Sequence, residues 1–378
     1  MIKMIQKSWQ QQTGWSSPDE SLAEPQLVLI FGASAVLRDP AVLTAVRGDF
    51  PGALIFGCST AGEIHGAHVR DDSLILTAIH FEKTRLRLAS VPVTSALDSL
   101  QAGRELAAQL VAPDLVHLLV LSDGLLINGS DLVRGLRESL PPKVSVTGGM
   151  AADGTLFAAT LVCADGVPRQ GCVAALGFYS HDLVVGYGSQ GGWDAFGPRR
   201  RVTRSNGNVL YEVDGQSALC LYKHYLGEYA ADLPASALLF PLEIDLQTGE
   251  YGLVRTVVNI NESEQSMTFA GDIPLGASVH LMKANFDRLI GGAEDAANAS
   301  RRSFGRLPVE LALFISCFGR KLILKQRVEE EVEAAYAVLG EQTVVTGFYS
   351  YGEISPFVPN GRCELHNQTM TVTTFSER

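Results

Sequence analysis

The chain has 378 residues, with 30 Lys plus Arg against 41 Asp plus Glu, a net charge of −11, and 46% apolar residues. That length fits two domains or three small ones, and it can bury a core without disulfide or metal staples. The composition excludes disorder, and the acidity excludes nucleic-acid binding unless a local basic patch is built. The only dense basic run, Arg199, Arg200, Arg201 and Arg204, has no interleaved aromatics and reads as a solvated turn. Six cysteines stand at 58, 163, 172, 220, 317 and 363 without C-x-x-C spacing, so they read as buried thiols in a reducing compartment. The N-terminus lacks an apolar signal region, and no apolar run approaches the ~20 residues of a membrane span. A cytoplasmic protein that contacts neither membrane nor nucleic acid is expected.

Residues 1–24 are polar and aperiodic and read as a flexible arm. Leu27–Phe31 is a continuous apolar run, the pattern of a strand buried on both faces. Asp39-Pro40 opens a helix, with Asp as N-cap and Pro at its first position. Ala53–Gly57 and Asp72–Phe81 are the next strands. The order recurs: strand Leu115–Leu121, helix Ser130–Leu140, strand Val144–Gly148. It recurs again as strand Leu311–Ser316, helix Lys321–Leu339, and strands Thr343–Gly347 and His366–Phe375. Between them lie strands in Gly171–Phe178, Leu183–Gly188 and Val209–Val213, and a helix over Gly215–Tyr229.

Two turns repeat letter by letter: Gly57-Cys58-Ser59-Thr60-Ala61-Gly62-Glu63-Ile64 and Gly347-Phe348-Tyr349-Ser350-Tyr351-Gly352-Glu353-Ile354. A divergent third copy occupies 146–153. The predicted class is α/β to α+β, with repeated β-α-β-β units forming mixed sheets in two lobes. The equivalent turns are expected to converge on a pseudo-symmetric cleft.

Gly186-Tyr187-Gly188-Ser189-Gln190-Gly191 satisfies G-x-G-x-x-G. No helix can start after it, because Trp193–Pro198 intervenes, so it reads as a glycine-rich turn and not a dinucleotide site. Cys58 and Ser59 sit on a turn like a nucleophile elbow, but Ala61 replaces the closing glycine and Tyr349 replaces Ser59 in the second copy. Close ligand approach explains that turn better than a hydrolase does. Glu63 and Glu353 are an acid/base pair or structural anchors, with the structural role favoured. His366-Asn367-Gln368-Thr369 is a polar cluster on an otherwise buried strand, so it either satisfies loop backbone or faces a cavity. His224 shares a helix face with Cys220 and suits an axial ligand or plain exposure. His117 and His280 read as packed strand residues.

IFGCSTAGEI (55–64), LSDGLLINGS (121–130), VTGGMAADG (146–154), GFYSYGEISPF (347–357) and ELHNQTMTVT (364–373) together resemble the FIST family. The resemblance spans nearly the whole chain, with an N-terminal FIST part over 25–220 and a C-terminal part over 221–378. It implies a sensory, ligand-binding input protein of bacterial signalling and not an enzyme. Output would then come from a separate histidine kinase or cyclic-di-GMP enzyme, with homo-oligomerisation left open. Length also resembles the stand-alone nitric-oxide-sensing members, which implies non-covalent haem b. His366 and His224 are its candidate axial ligands. The ligand-binding residues implied are Cys58, Ser59, Thr60, Glu63, Asp123, Asn128, Tyr349, Tyr351, Glu353, His366 and Asn367. Two alternatives stand: a haem-free sensor of a small polar metabolite such as an amino acid, and a hydrolase using Ser59 or Cys58.

Overall fold

A computed structural model describes residues 1–16, 22–245, 252–357 and 361–378. Three repeats build the first lobe. Each begins with a fully or largely buried apolar strand, Leu27–Gly32, Leu115–Ser122 or Leu311–Cys317. A helix (Pro40–Asp49, Gly129–Ser139 or Val328–Leu339) crosses over to a parallel partner strand, Leu54–Ser59, Ser145–Met150 or Val344–Ser350. An antiparallel strand follows on the other side: Ser73–His80, Cys172–Tyr179 or Met370–Glu377. Next to these lie Lys3–Gln10, with the two-residue strand Gly14–Trp15 beyond it, Arg85–Pro92 and Leu183–Gln190. All three sheets share this order. The middle copy is therefore a true repeat despite its divergent turn.

Each repeat gives away a hairpin. Glu63–His65 with His68–Arg70 joins the third repeat's sheet. Val162–Ala164 with Val167–Arg169 joins the first, and Gly352–Pro356 with Cys363–His366 joins the second. The exchange closes a ring and pairs an edge that each sheet would otherwise expose. One core lies inside, drawing on all three sheets. Phe31 stacks on Phe348 at 4.7 Å, and His117 packs between Phe178 and Phe375. Burial pushes the His117 pKa down to about 3, so it is neutral there. The helices pack on the outer faces around separate cores.

One glycine position shows the repeat physically. A Cβ at Gly57, Gly148 or Gly347 would lie 1.7, 1.8 or 1.9 Å from the carbonyl oxygen of Ile30, Val120 or Phe314. Those carbonyls belong to the directly paired residues on the neighbouring parallel strand. Only a residue without a side chain lets the strands approach so closely.

The second lobe is an antiparallel β-domain inserted into the third repeat, between Leu183–Gln190 and helix Phe286–Arg301. It runs from strand Asp194–Asn206 to Ser278–Lys283, with helix Ala218–Leu226 against its own core. The result is the α+β, two-lobed class that the pattern implies.

Several local expectations change. Residues 3–10 of the expected arm form a strand paired with Ser73–His80; residues 17–21 lie outside the described residues. The strand is half-exposed at a sheet edge, so its sequence carries no apolar run. The helix expected over 321–339 breaks at Lys325, where φ is +51°, into Phe318–Leu324 and Val328–Leu339. The helix expected over 215–229 spans only Ala218–Leu226. The basic run lies on a strand, with Arg199, Arg200 and Arg204 paired to Asp245, Asp214 and Glu212. Gly186 and Gly188 are not in a turn. They lie on a strand where a Cβ would meet the Ser300 and Ala296 carbonyls at 1.9 and 2.3 Å, so their absence of side chain lets helix Phe286–Arg301 pack onto it. His280 is half-buried, its Nε2 beside the Gly197 carbonyl. No helix among the described residues is long and apolar enough to cross a membrane.

Candidate functional site

The repeated turns do converge. Three equivalent backbone bonds link them head to tail: Ala152 N–H to Ser59 O at 2.9 Å, Tyr351 to Met150 at 3.2 Å, and Ala61 to Tyr349 at 2.9 Å. Packed side chains fill the space beneath them. Cys58, Ser59, Glu63, Tyr349 and Glu353 are all 1% exposed or less, and Thr60 is 4% exposed.

Glu63 accepts from the Ser73 amide at 3.2 Å, from the Ser73 hydroxyl at 2.6 Å, and from the Thr60 hydroxyl. Glu353 accepts from the Thr369 amide at 3.2 Å, the Thr369 hydroxyl at 3.0 Å and the Ser350 hydroxyl at 2.6 Å. These donors favour the charged form, but burial outweighs them and raises the pKa to about 7 for Glu63 and about 8 for Glu353. The carboxylates are anchors between a turn and the following strand, spent on their own chain.

The other expected site residues are likewise engaged. Burial pushes the Cys58 thiol well up, and the Ser59 hydroxyl accepts from the Leu161 amide at 2.8 Å. Among the described residues no basic side chain hydrogen-bonds either atom, so neither is set up as a nucleophile. Asp123 caps its turn through the Leu125, Leu126 and Gly171 amides. Asn128 is the N-cap of helix Gly129–Ser139, and its Nδ2 donates to Asp272 of the inserted domain at 3.2 Å. Tyr349 donates to Glu331 at 2.8 Å, and Tyr351 to Asp153 at 2.5 Å.

Neither expected axial histidine fits haem. His366 is 1% exposed, its Nε2 is held by the Ser355 carbonyl at 2.7 Å, and its ring lies 4.2 Å from Phe357. A carbonyl only accepts, so Nε2 carries the proton. Nδ1 has no partner among the described residues, but at 1% exposure the imidazole presents no surface to a flat macrocycle. Burial lowers the His366 pKa to about 4. His224 is exposed on the inserted domain, against Tyr225. The two histidines thus sit in different lobes, one sealed and one in solvent. Asn367 is also sealed, with both amide atoms unpartnered. Among the described residues no group of three or more His, Cys, Asp or Glu could hold a metal ion.

A cleft of about 520 Å³ lies where the lobes meet. The inserted domain contributes Glu243, Gly252, Val254 and Met282. The third repeat contributes Gln190–Trp193, Phe357, Thr369, and Asp287, Arg288, Gly291, Gly292 and Asp295 of helix Phe286–Arg301. None of the residues singled out from the repeated turns lines it. Trp193 is fixed by its indole N–H, which donates to the Gln368 carbonyl at 2.9 Å. Arg288 is held by Asp194 at 2.8 Å and Asp287 by Arg327 at 2.9 Å. Glu243 and Asp295 have no ion-pair partner among the described residues, so the cleft presents unspent negative charge beside Trp193, Val254, Met282 and Phe357. Gly192, at φ +75°, makes the wall possible, since a Cβ there would lie 1.9 Å from the Arg288 carbonyl. The G-x-G-x-x-G run ending at Gly191 was the sequence signal for this place: its glycines press strand and loop against the helix that forms the cleft. Among the described residues no histidine, cysteine or tyrosine lines the cleft, so the Met282 thioether is the one usual haem-iron ligand among those that face it.

The FIST N domain matches residues 26–216 and the FIST C domain residues 218–356. The uncharacterized protein MJ1623 of Methanocaldococcus jannaschii is 25% identical over 333 residues, which is 81% of this chain. The match covers 62% of that protein's length. A solved structure of "cyanuic acid hydrolase from A. caulinodans" is 9% identical, with a TM-score of 0.39, covering 100% of this chain and 99% of that one. At that score the likeness bears on neither fold nor function.

Proposed function

This chain belongs to the FIST family, whose domains are signal-sensing domains that bind small ligands, and from that premise we propose that the cleft between the lobes is the ligand site. The ligand class is a small molecule with a cationic amino group next to a short apolar segment, as in an amino acid. The carrying observation is a ligand-sized cleft in which the Glu243 and Asp295 carboxylates face the same space as the fixed indole of Trp193. The carboxylates suit the amino group, and Trp193 with Met282 and Val254 suits the apolar part. Among the described residues Arg288 is the one cation of the lining, and beyond its pair with Asp194 it keeps N–H donors that suit a carboxylate on the same ligand. A guest touching both lobes binds their closed arrangement better than an open one, and that differential affinity is what makes binding a signal.

The test is a titration of the full chain with free amino acids and simple amines, followed by Trp193 emission and calorimetry, with Trp193→Phe as the fluorescence control. Amino-bearing ligands should saturate. Glu243→Gln and Asp295→Asn should each weaken binding about tenfold, the loss of one charge-assisted contact, without lowering the melting temperature. Binding indifferent to both substitutions, or a haem Soret band lost on His366→Ala or His224→Ala, would overturn the reading.

A further inference from the structure

We propose that Arg320 is the positioning residue that holds the two backbone walls of this cleft and couples them to the ring of turns. It rests on the ligand reading for its purpose, but not for its test. Arg320 is 0% exposed, on the short helix Phe318–Leu324. Its Nη1 donates to the Gly191 carbonyl at 2.6 Å, and its Nη2 to the Leu289 carbonyl at 2.7 Å. Gly191 lines the cleft, and Leu289 follows Arg288, which also lines it. One guanidinium thus ties the glycine loop to the first turns of the helix across from it.

The other side of the guanidinium grips Glu331. Nε lies 2.8 Å and Nη2 2.7 Å from the same carboxylate oxygen. The second oxygen of Glu331 accepts from Ser316 at 3.0 Å and from the Tyr349 hydroxyl at 2.8 Å. Tyr349 is a ring residue: its amide donates to the Gly62 carbonyl at 2.8 Å, and its carbonyl accepts from Ala61. The neighbouring Lys321 donates to the Ala61 carbonyl at 2.8 Å, so the same short helix also reaches the ring directly. Arg320, Glu331, Ser316 and Tyr349 are all fully buried. A buried ion pair is weak evidence of stability by itself, because desolvation offsets attraction. Besides the Gln368 carbonyl and Ser316, the pair's other bonds run to the two cleft walls on one side and to the ring residue Tyr349 on the other, so it is placed to make the two regions move together. Lysine cannot replace it, because one ammonium on a flexible stem does not span both carbonyls and the carboxylate in fixed geometry.

The experiment is hydrogen exchange on the full chain without ligand, comparing peptides covering residues 190–193 and 288–290 with those covering 60–62 and 349–352. Tyr349→Phe removes one hydroxyl at the ring end and touches nothing in the cleft. It should speed exchange at the cleft walls by about threefold or more, within the range of coupling between connected sites. Arg320→Lys alone should loosen the walls similarly, and adding Tyr349→Phe to it should change the walls no further. Wall exchange unmoved by Tyr349→Phe, or additive in the double variant, overturns the coupling. If Arg320→Lys does not fold, Ser316→Ala serves in its place: it acts on the same Glu331 oxygen and should loosen the walls, and failure to do so overturns the proposal. Glu243→Gln should leave this exchange pattern unchanged, so a failed ligand reading and a failed coupling are told apart.

Discussion

Two of the three repeated turns carry a buried glutamate, and the third does the same structural work without charge. Val162 pairs with Cys58 where Glu63 pairs with Phe348 and Glu353 with Gly149. By the same register, Ala151 stands in the place of Thr60 and Ser350, and Cys172 in the place of Ser73 and Thr369. The carboxylate and both its hydroxyl donors are thus replaced together by apolar groups. A buried polar cluster is stable when complete or when absent, and costly in between. The two turn glutamates therefore belong to packing, and the charge left over for chemistry lies in the cleft.

That contrast can be broken in three ways. The largest effect should come from converting the first turn to the middle one in steps. Glu63→Val alone strands two hydroxyls and an amide and should cost about 2–3 kcal/mol in urea unfolding. The triple variant Glu63→Val, Thr60→Ala, Ser73→Cys should recover at least half of that loss, a non-additivity expected of one cluster. A triple variant no better than the single would mean the middle turn is not the apolar equivalent.

The second is pH. Glu63 and Glu353 have folded pKa values of about 7 and about 8, raised from 4.5 by burial. The native state therefore holds more protons than the unfolded one between those values, and stability should fall as pH rises from about 4.5 to 8. The contribution is fully present below pH 4.5 and gone above 8. Glu63→Gln and Glu353→Gln, which mimic the protonated forms, should each flatten part of that slope in melts recorded across this range. A slope unchanged in both would place the titration elsewhere.

The smallest effect lies between the lobes. Asn128→Ala removes an N-cap and the bond to Asp272 and should cost about 1 kcal/mol, visible as a lower unfolding midpoint. Asn128→Asp keeps the cap but sets a second negative charge against Asp272, so it should loosen the contact between lobes while sparing the helix. Melting and limited proteolysis of the inserted domain separate the two.

Much of the fold is legible in the sequence. Continuous apolar runs such as Leu27–Phe31 and Leu311–Ser316 signalled doubly buried strands, Asp39-Pro40 signalled a helix start, and the duplicated turn signalled repetition. The Lys3–Gln10 strand was not readable, because an edge strand buries too little to show an apolar period. Glu331 read as an ordinary charge of the long helix expected over 321–339, and Arg320 stood just ahead of its start. Only the break at Lys325 and the covering of that helix by Gly191 and Leu289 turn them inward. Glu63, Glu353 and His366 were legible as unusual, since polar residues in apolar strands need partners; Thr60 and Ser350 lie in the same turns as the glutamates, but Ser73, Thr369 and Ser355 come from other strands.

Sequence alone determined the strand–helix–strand units, the glycine shared by the turns at 57 and 347, and the family, because these depend on local spacing and near neighbours; the strand registers add Gly148 as the third member. The tertiary structure decided which sheet each hairpin joins and that the turns close over packed side chains. It also decided that a cleft opens instead between helix Phe286–Arg301 and the domain inserted just ahead of it over residues 194–283. The physical reason is that such a cleft is the space left between separately satisfied cores, and no local pattern records where two cores fail to touch.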